Sequence, residues 1–83
     1  MNIQQEILHI LDEAMGLKGR AMQFKRDTVL LGALPELDSM AVLAVISGFE
    51  DRFGFVVEDD DLDGAIFASV GTLADYVSGK LEG

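Results

Sequence analysis

The chain has 83 residues, 49% of them apolar, which suffices for one small core and leaves little volume for a second domain or a deep catalytic pocket. Fifteen acidic residues against six basic ones give a net charge of −9, which repels nucleic-acid phosphates and anionic lipid surfaces and favours partners with basic patches. Cysteine is absent, so disulfides, thiolate metal sites and a protein-borne thiol nucleophile are all excluded.

Residues 3 to 17 carry Ile3, Ile7, Leu11 and Ala14 at spacings of three and four, with Ile10 and Met15 flanking, which predicts a first amphipathic helix. This opening lacks the positive start and continuous apolar stretch of a signal peptide. No run of about 18 apolar residues is long enough to span a bilayer. A cytoplasmic location without stable membrane insertion is the expectation, and with no surplus apolar face the chain is expected to be a monomer.

Gly16 and Gly19 then weaken helix, and KGRAMQFKRD supplies Lys18, Arg20, Lys25 and Arg26, four of the six basic residues. The segment continues through TVLLGALPEL, where Gly32 and Pro35 punctuate and Pro35 disfavours helical geometry at Leu34. A loop of about twenty residues is expected, pinned to the core by Val29, Leu30, Leu31 and Leu34.

Asp38 is a favoured N-cap for a second helix over 39 to 53, whose Val42, Val45, Ile46, Phe49 and Phe53 fall at helical spacing, with Gly54 as C-cap. An acidic turn follows in VVEDDDLDG, then one short helix over 62 to 67. Ser69 caps a last helix over 70 to 80, striped by Val70, Leu73, Ala74, Val77 and Leu81. No strand-like alternation opposes this, so the fold class is all-α: a small helical bundle of three longer helices and one short, with a long first connection, forming a single domain over 1–83.

Two sites of other kinds are weighed and set aside. Asp59, Asp61, Asp63 and Gly64 match positions 1, 3, 5 and 6 of a calcium loop, yet Phe67 stands at position 9 and Val70 at position 12, where a bidentate Glu belongs. A solvated, partner-facing acidic turn is the better reading, and no dedicated metal site is expected. His9 is the sole histidine, too little for a Ser-His-Asp nucleophilic set around Ser39 or for a transition-metal site, so no catalytic residues are assigned.

LGALPELDSMAVLAVISGFEDRFG resembles the signature of the acyl carrier protein family, in which Asp-Ser-Leu or Asp-Ser-Met opens the second of four helices. Helix order, the long first loop, the acidic turn and the final amphipathic helix extend the resemblance over nearly the whole chain. It implies a four-helix bundle of acyl-carrier type and a carrier, not an enzyme. In that family a phosphopantetheinyl transferase moves a 4′-phosphopantetheine arm from coenzyme A onto the motif serine, and Ser39 alone matches that position. The arm's thiol then holds acyl intermediates as thioesters and shuttles them between loading, transferring or condensing enzymes of lipid or related biosynthesis.

The spacing has a physical rationale too, because a serine in the first turn of a helix sets its modified oxygen beside unpaired N–H groups and the positive end of the helix dipole. Asp38 caps that turn and completes the motif. Met40, Leu43, Glu50, Asp51, Asp59 and Asp60 are the expected partner-binding residues, and Ile46 and Phe49 the candidates for an acyl-chain pocket. The phenylalanines Phe24, Phe49, Phe53, Phe55 and Phe67 either line such a sleeve or fill the core.

Two departures narrow the resemblance. Ala41 and Ala44 stand where many fatty-acid carriers expose acidic side chains, and the proline-containing LPEL replaces a tighter Leu-Gly-x-Asp-Ser approach. The string is most similar to stand-alone carriers encoded beside bacterial envelope or exopolysaccharide machinery. The alternatives are a peptidyl carrier domain of a synthetase, which usually has Gly-Gly-x-Ser-Leu in place of Asp-Ser-Met, and an acidic helical interaction module without a prosthetic group.

Overall fold

The computed structural model describes residues 2–58 and 64–82, so the predicted contacts Asp59 and Asp60, and Asp61 and Asp63 of the acidic turn, lie outside the described residues. Three α-helices carry the fold: α1 (Ile3–Met15), α2 (Ser39–Phe53) and α3 (Val70–Glu82), with 3₁₀ turns at Arg20–Gln23 and Gly64–Phe67. The all-helical reading therefore holds. Instead of one short helix over 62–67, the described part of that segment is a single 3₁₀ turn.

Each helix starts and stops for local reasons. The Asn2 side chain accepts from the Gln5 N–H to open α1, and Gly16 closes it in left-handed geometry at φ 63°, two residues earlier than the apolar pattern alone predicts. In α2, Asp38 Oδ1 accepts from the Ala41 N–H at 2.8 Å and Gly54, at φ 78°, donates back to the Glu50 carbonyl. Ser69 and Thr72 cap each other before α3: Ser69 Oγ accepts from the Thr72 N–H, and Thr72 Oγ1 from the Ser69 N–H. That helix runs to Glu82, past the expected end, and Leu81 in its final turn is exposed instead of continuing the buried stripe.

The long connection is organised by partners far away in sequence. Asp12 on α1 accepts from the Gly19 and Ala21 N–H groups, which winds Arg20–Gln23 into its 3₁₀ turn and buries Leu17 and Ala21. Further on, Val29 pairs with Ser69 in an isolated antiparallel bridge. Leu30 and Leu31 donate to the Ala68 and Phe67 carbonyls, while Val70 and Gly71, at the start of α3, donate to those of Thr28 and Arg26. The loop thereby satisfies two N–H groups that the helix itself cannot. Extended backbone turns neighbouring side chains to opposite sides, so Leu30 is fully buried while Val29 and Leu31 face out; the expected four-residue apolar anchor reduces to Leu30, with Leu34 half-buried.

In the core, α1 packs on both α2 and α3, with Phe49, Ile7, Leu11, Leu17, Leu30 and Leu73 fully buried. Among the described residues no polar or charged side chain is buried. A ladder of rings, Phe49–Phe53, Phe53–Phe55 and Phe55–Tyr76, with centroids 6.0–6.2 Å apart, links the C-terminal end of α2 to α3.

The α1–α2 contact depends on Gly48, where an added Cβ would stand 2.7 Å from Ile10 Cγ2. Overpacking against this β-branched side chain costs about 1–3 kcal/mol and alanine returns about 1 kcal/mol of helix propensity. Gly48→Ala should therefore be less stable than wild type by roughly 1 kcal/mol in urea unfolding. In an Ile10→Ala background the same substitution should become neutral or stabilising.

Candidate functional site

Ser39 is the first residue of α2, exposed, with its turn fixed by the Asp38 cap. The first intrahelical bond, Val42 N–H to the Asp38 carbonyl at 2.9 Å, and the capped Ala41 N–H leave the Ser39 and Met40 N–H groups as donors that no helical carbonyl reaches. An anionic group on Ser39 Oγ would sit at this positive helix end.

Beside Ser39 opens a cleft of about 460 Å³ lined by Leu31, Leu37, Asp38, Ser39, Val42, Leu43, Ile46, Gly64 and Phe67. Apart from Asp38 and Ser39 the described residues of its walls are apolar. One wall is the first two turns of α2 with Leu37; the other is Leu31 from the long loop and the 64–67 turn. Leu37 and Val42 stand at the positions before the N-cap and four into the helix, the spacing of a hydrophobic staple. That staple is the sequence signal by which the α2 wall of the cleft could have been found.

The approach to Asp38 is held from outside. LPEL folds as successive turns, with Leu34 donating to the Leu30 carbonyl and Leu37 to that of Leu34, and it buries Leu37. Glu36 reaches Arg20 of the first 3₁₀ turn at 3.0 Å. A hydrogen bond from its own backbone, then the Arg20 guanidinium, hold the Glu36 carboxyl below its ordinary value of 4.5. Because the folded pKa is depressed, this contribution to stability is present above the unfolded value and is lost as pH falls through the folded one. Arg20→Ala should raise the Glu36 pKa toward its ordinary value in an NMR titration, and any stability difference from wild type should fade on acidification.

The remaining predicted residues separate into several environments. Met40 and Leu43 are exposed at 76% and 58%, next to the cleft mouth. Ile46 lines the cleft, whereas Phe49, one turn on, is 1% exposed in the core and does not. Of the five phenylalanines only Phe67 lines it. Glu50 is half-buried, and its carboxylate accepts from the Val57 N–H at 2.9 Å, tying down the irregular segment after α2. Asp51 is exposed and borders a separate hollow on the α1–α2 seam with Glu6, His9, Glu13 and Arg52; His9 is thus not among the residues around Ser39. Ala41 is buried, so of the two alanines expected on the exposed face only Ala44 is there. Among the described residues no group of three or more His, Cys, Asp or Glu is arranged to hold a metal ion, and no helix is long and apolar enough to cross a membrane.

A helical bundle with an exposed serine heading its second helix, beside an apolar cleft, is the architecture of a carrier. No protein-family model matches the chain, and no curated protein does. The solution NMR structure of a holo acyl carrier protein from Nitrosomonas europaea matches it with a TM-score of 0.92 and 38% sequence identity over 100% of both chains. The chain belongs to the acyl carrier protein family.

Proposed function

We propose that Ser39 is the attachment point of a 4′-phosphopantetheine arm, and that the chain acts as a single carrier domain over 1–83, taking acyl thioesters between enzymes of lipid or related biosynthesis. The observation that carries this reading is the exposed Ser39 hydroxyl in the first turn of α2, at the mouth of an apolar cleft. The residues present suit the group: two unpaired N–H donors and the helix dipole favour a phosphodiester at Oγ, and the cleft offers an apolar chain a path from the same point. When bound, the arm supplies the thiol that this cysteine-free chain lacks.

Among the described residues no histidine lies beside Ser39 and the Asp38 carboxylate is engaged as the helix cap, so we take its hydroxyl to be modified in trans, with the chain as the substrate of a phosphopantetheinyl transferase. Asp38 holds the loop-to-helix junction that such an enzyme meets. Met40 and Leu43 offer partners an apolar contact beside the mouth, and Asp51, Asp59 and Asp60 add charge for enzymes with basic docking patches. Glu50 joins them through whatever acceptor capacity its bond to Val57 leaves. Ile46, deeper in the cleft, contacts the cargo. We place the carrier in the cytoplasm as a monomer, in a specialised bacterial pathway and not housekeeping fatty-acid synthesis.

Incubation with coenzyme A, Mg²⁺ and a broad-specificity transferase should add about 340 Da at Ser39. A folded chain left unmodified by several such transferases overturns the reading in favour of an interaction module without a prosthetic group.

A further inference from the structure

Arg20 reaches from the first 3₁₀ turn to the approach to Ser39. Its Nε donates to the Leu17 carbonyl at 3.2 Å and its Nη2 to Glu36 Oε2 at 3.0 Å, so one guanidinium is held on two sides. The turn that carries it is itself fixed, since the Asp12 carboxylate accepts from the Gly19 and Ala21 N–H groups on either side of Arg20. Glu36 passes the restraint on: its carbonyl accepts from the Asp38 N–H at 3.1 Å, and Asp38 Oδ1 caps the turn that starts at Ser39. A continuous path of polar contacts therefore runs from Asp12 on α1 to the start of α2.

The junction has little other support. Pro35 has no N–H to donate, Asp38, Ser39 and Met40 are exposed, and the open cleft lies along one side of the first turns of α2. Arg26–Asp75 ties the long loop to α3 and Arg52–Glu6 ties α1 to the end of α2, whereas Arg20–Glu36 grips the segment leading into α2. An exposed pair is weak and shifts a local equilibrium by no more than about fivefold. That is too little to decide whether the chain folds, yet enough to change how often the Ser39 turn is in the form an enzyme binds.

We infer, resting on the carrier reading above, that Arg20 and Glu36 are positioning residues for the modification of Ser39. Acting as a pair, they brace residues 35–38 against α1 and raise the share of molecules whose Ser39 turn a phosphopantetheinyl transferase can engage. Neither takes part in the transfer, so the pair acts on recognition and leaves the chemical step alone.

The test is steady-state kinetics of a broad-specificity transferase, with coenzyme A and Mg²⁺ saturating and the unmodified carrier varied. Wild type is compared with Arg20→Ala, Glu36→Ala and the double variant. Each single variant should raise KM for the carrier about two- to fivefold at unchanged kcat, and the double variant should be no worse than either single. The two substitutions change net charge in opposite directions, so an effect of charge on docking to a basic enzyme surface would move their KM values oppositely. In the carrier alone, amide exchange at Asp38 and Ala41 should quicken by a similar factor in all three variants, which loss of a direct contact with the enzyme would not cause.

Circular dichroism checks folding, and if Arg20→Ala does not fold, Glu36→Ala and Glu36→Gln must still show the raised KM and the faster exchange. KM values equal to wild type, opposite changes in the two singles, multiplied effects in the double variant or a fall in kcat alone overturn the brace while leaving the carrier reading intact. A wild type that takes no arm overturns both.

Discussion

Ser39→Ala should abolish modification completely while leaving the fold unchanged. The hydroxyl is exposed and makes no hydrogen bond that the helix needs, since the first turn is held by Asp38 Oδ1 on the Ala41 N–H and by the Asp38 carbonyl on the Val42 N–H. Its removal should change stability by less than about 0.5 kcal/mol, as for other surface substitutions away from structural features. The measurement pairs intact mass after transferase treatment with urea unfolding of the same sample. Mass gain in the alanine variant would move the attachment point elsewhere and sink the assignment of Ser39.

The neighbouring position separates two roles that Ser39 cannot. Asp38→Ala removes the cap at a cost of about 0.5–2 kcal/mol and frays the turn in which Ser39 sits, so modification should slow as well. Asp38→Asn keeps a capping oxygen. If it restores both stability and the modification rate, Asp38 acts by positioning Ser39; if it restores stability alone, the transferase requires the carboxylate itself.

Much of this was legible in the chain. The bounds of α2 follow from Asp38 and Gly54, residues whose capping chemistry acts within one turn, and the apolar stripes of α1 and α2 follow from 3.6-residue periodicity. What the pattern leaves out is set by partners remote in sequence. The 3₁₀ turn at Arg20–Gln23 exists because Asp12 reaches forward to Gly19 and Ala21, and Leu31 faces the cleft because residues 28 to 31 pair with 67 to 70. Helical spacing also cannot separate two inward directions on one helix. Ile46 and Phe49 both read as inward on α2, yet Ile46 borders the cleft and Phe49 fills the core.

That difference gives Phe49→Ala the largest expected effect on stability. The ring is 1% exposed and starts the aromatic ladder through Phe53 and Phe55 to Tyr76. Truncating such a residue costs about 3–5 kcal/mol, from lost transfer energy and the cavity left behind. Domains have about 0.05–0.15 kcal/mol per residue in total, about 4–12 kcal/mol for 83 residues, so the loss removes from a third to nearly all of the folded state's margin. Urea unfolding should show the midpoint collapsing equally in unmodified and acyl-loaded protein, because no cleft contact is lost. Ile46→Ala should behave differently, costing less in the unloaded form because one side already faces the open cleft, and costing more once a chain is loaded. If Phe49→Ala instead destabilises only the loaded form, the ring contacts cargo after all, and the aromatic ladder would have to open when the cleft fills.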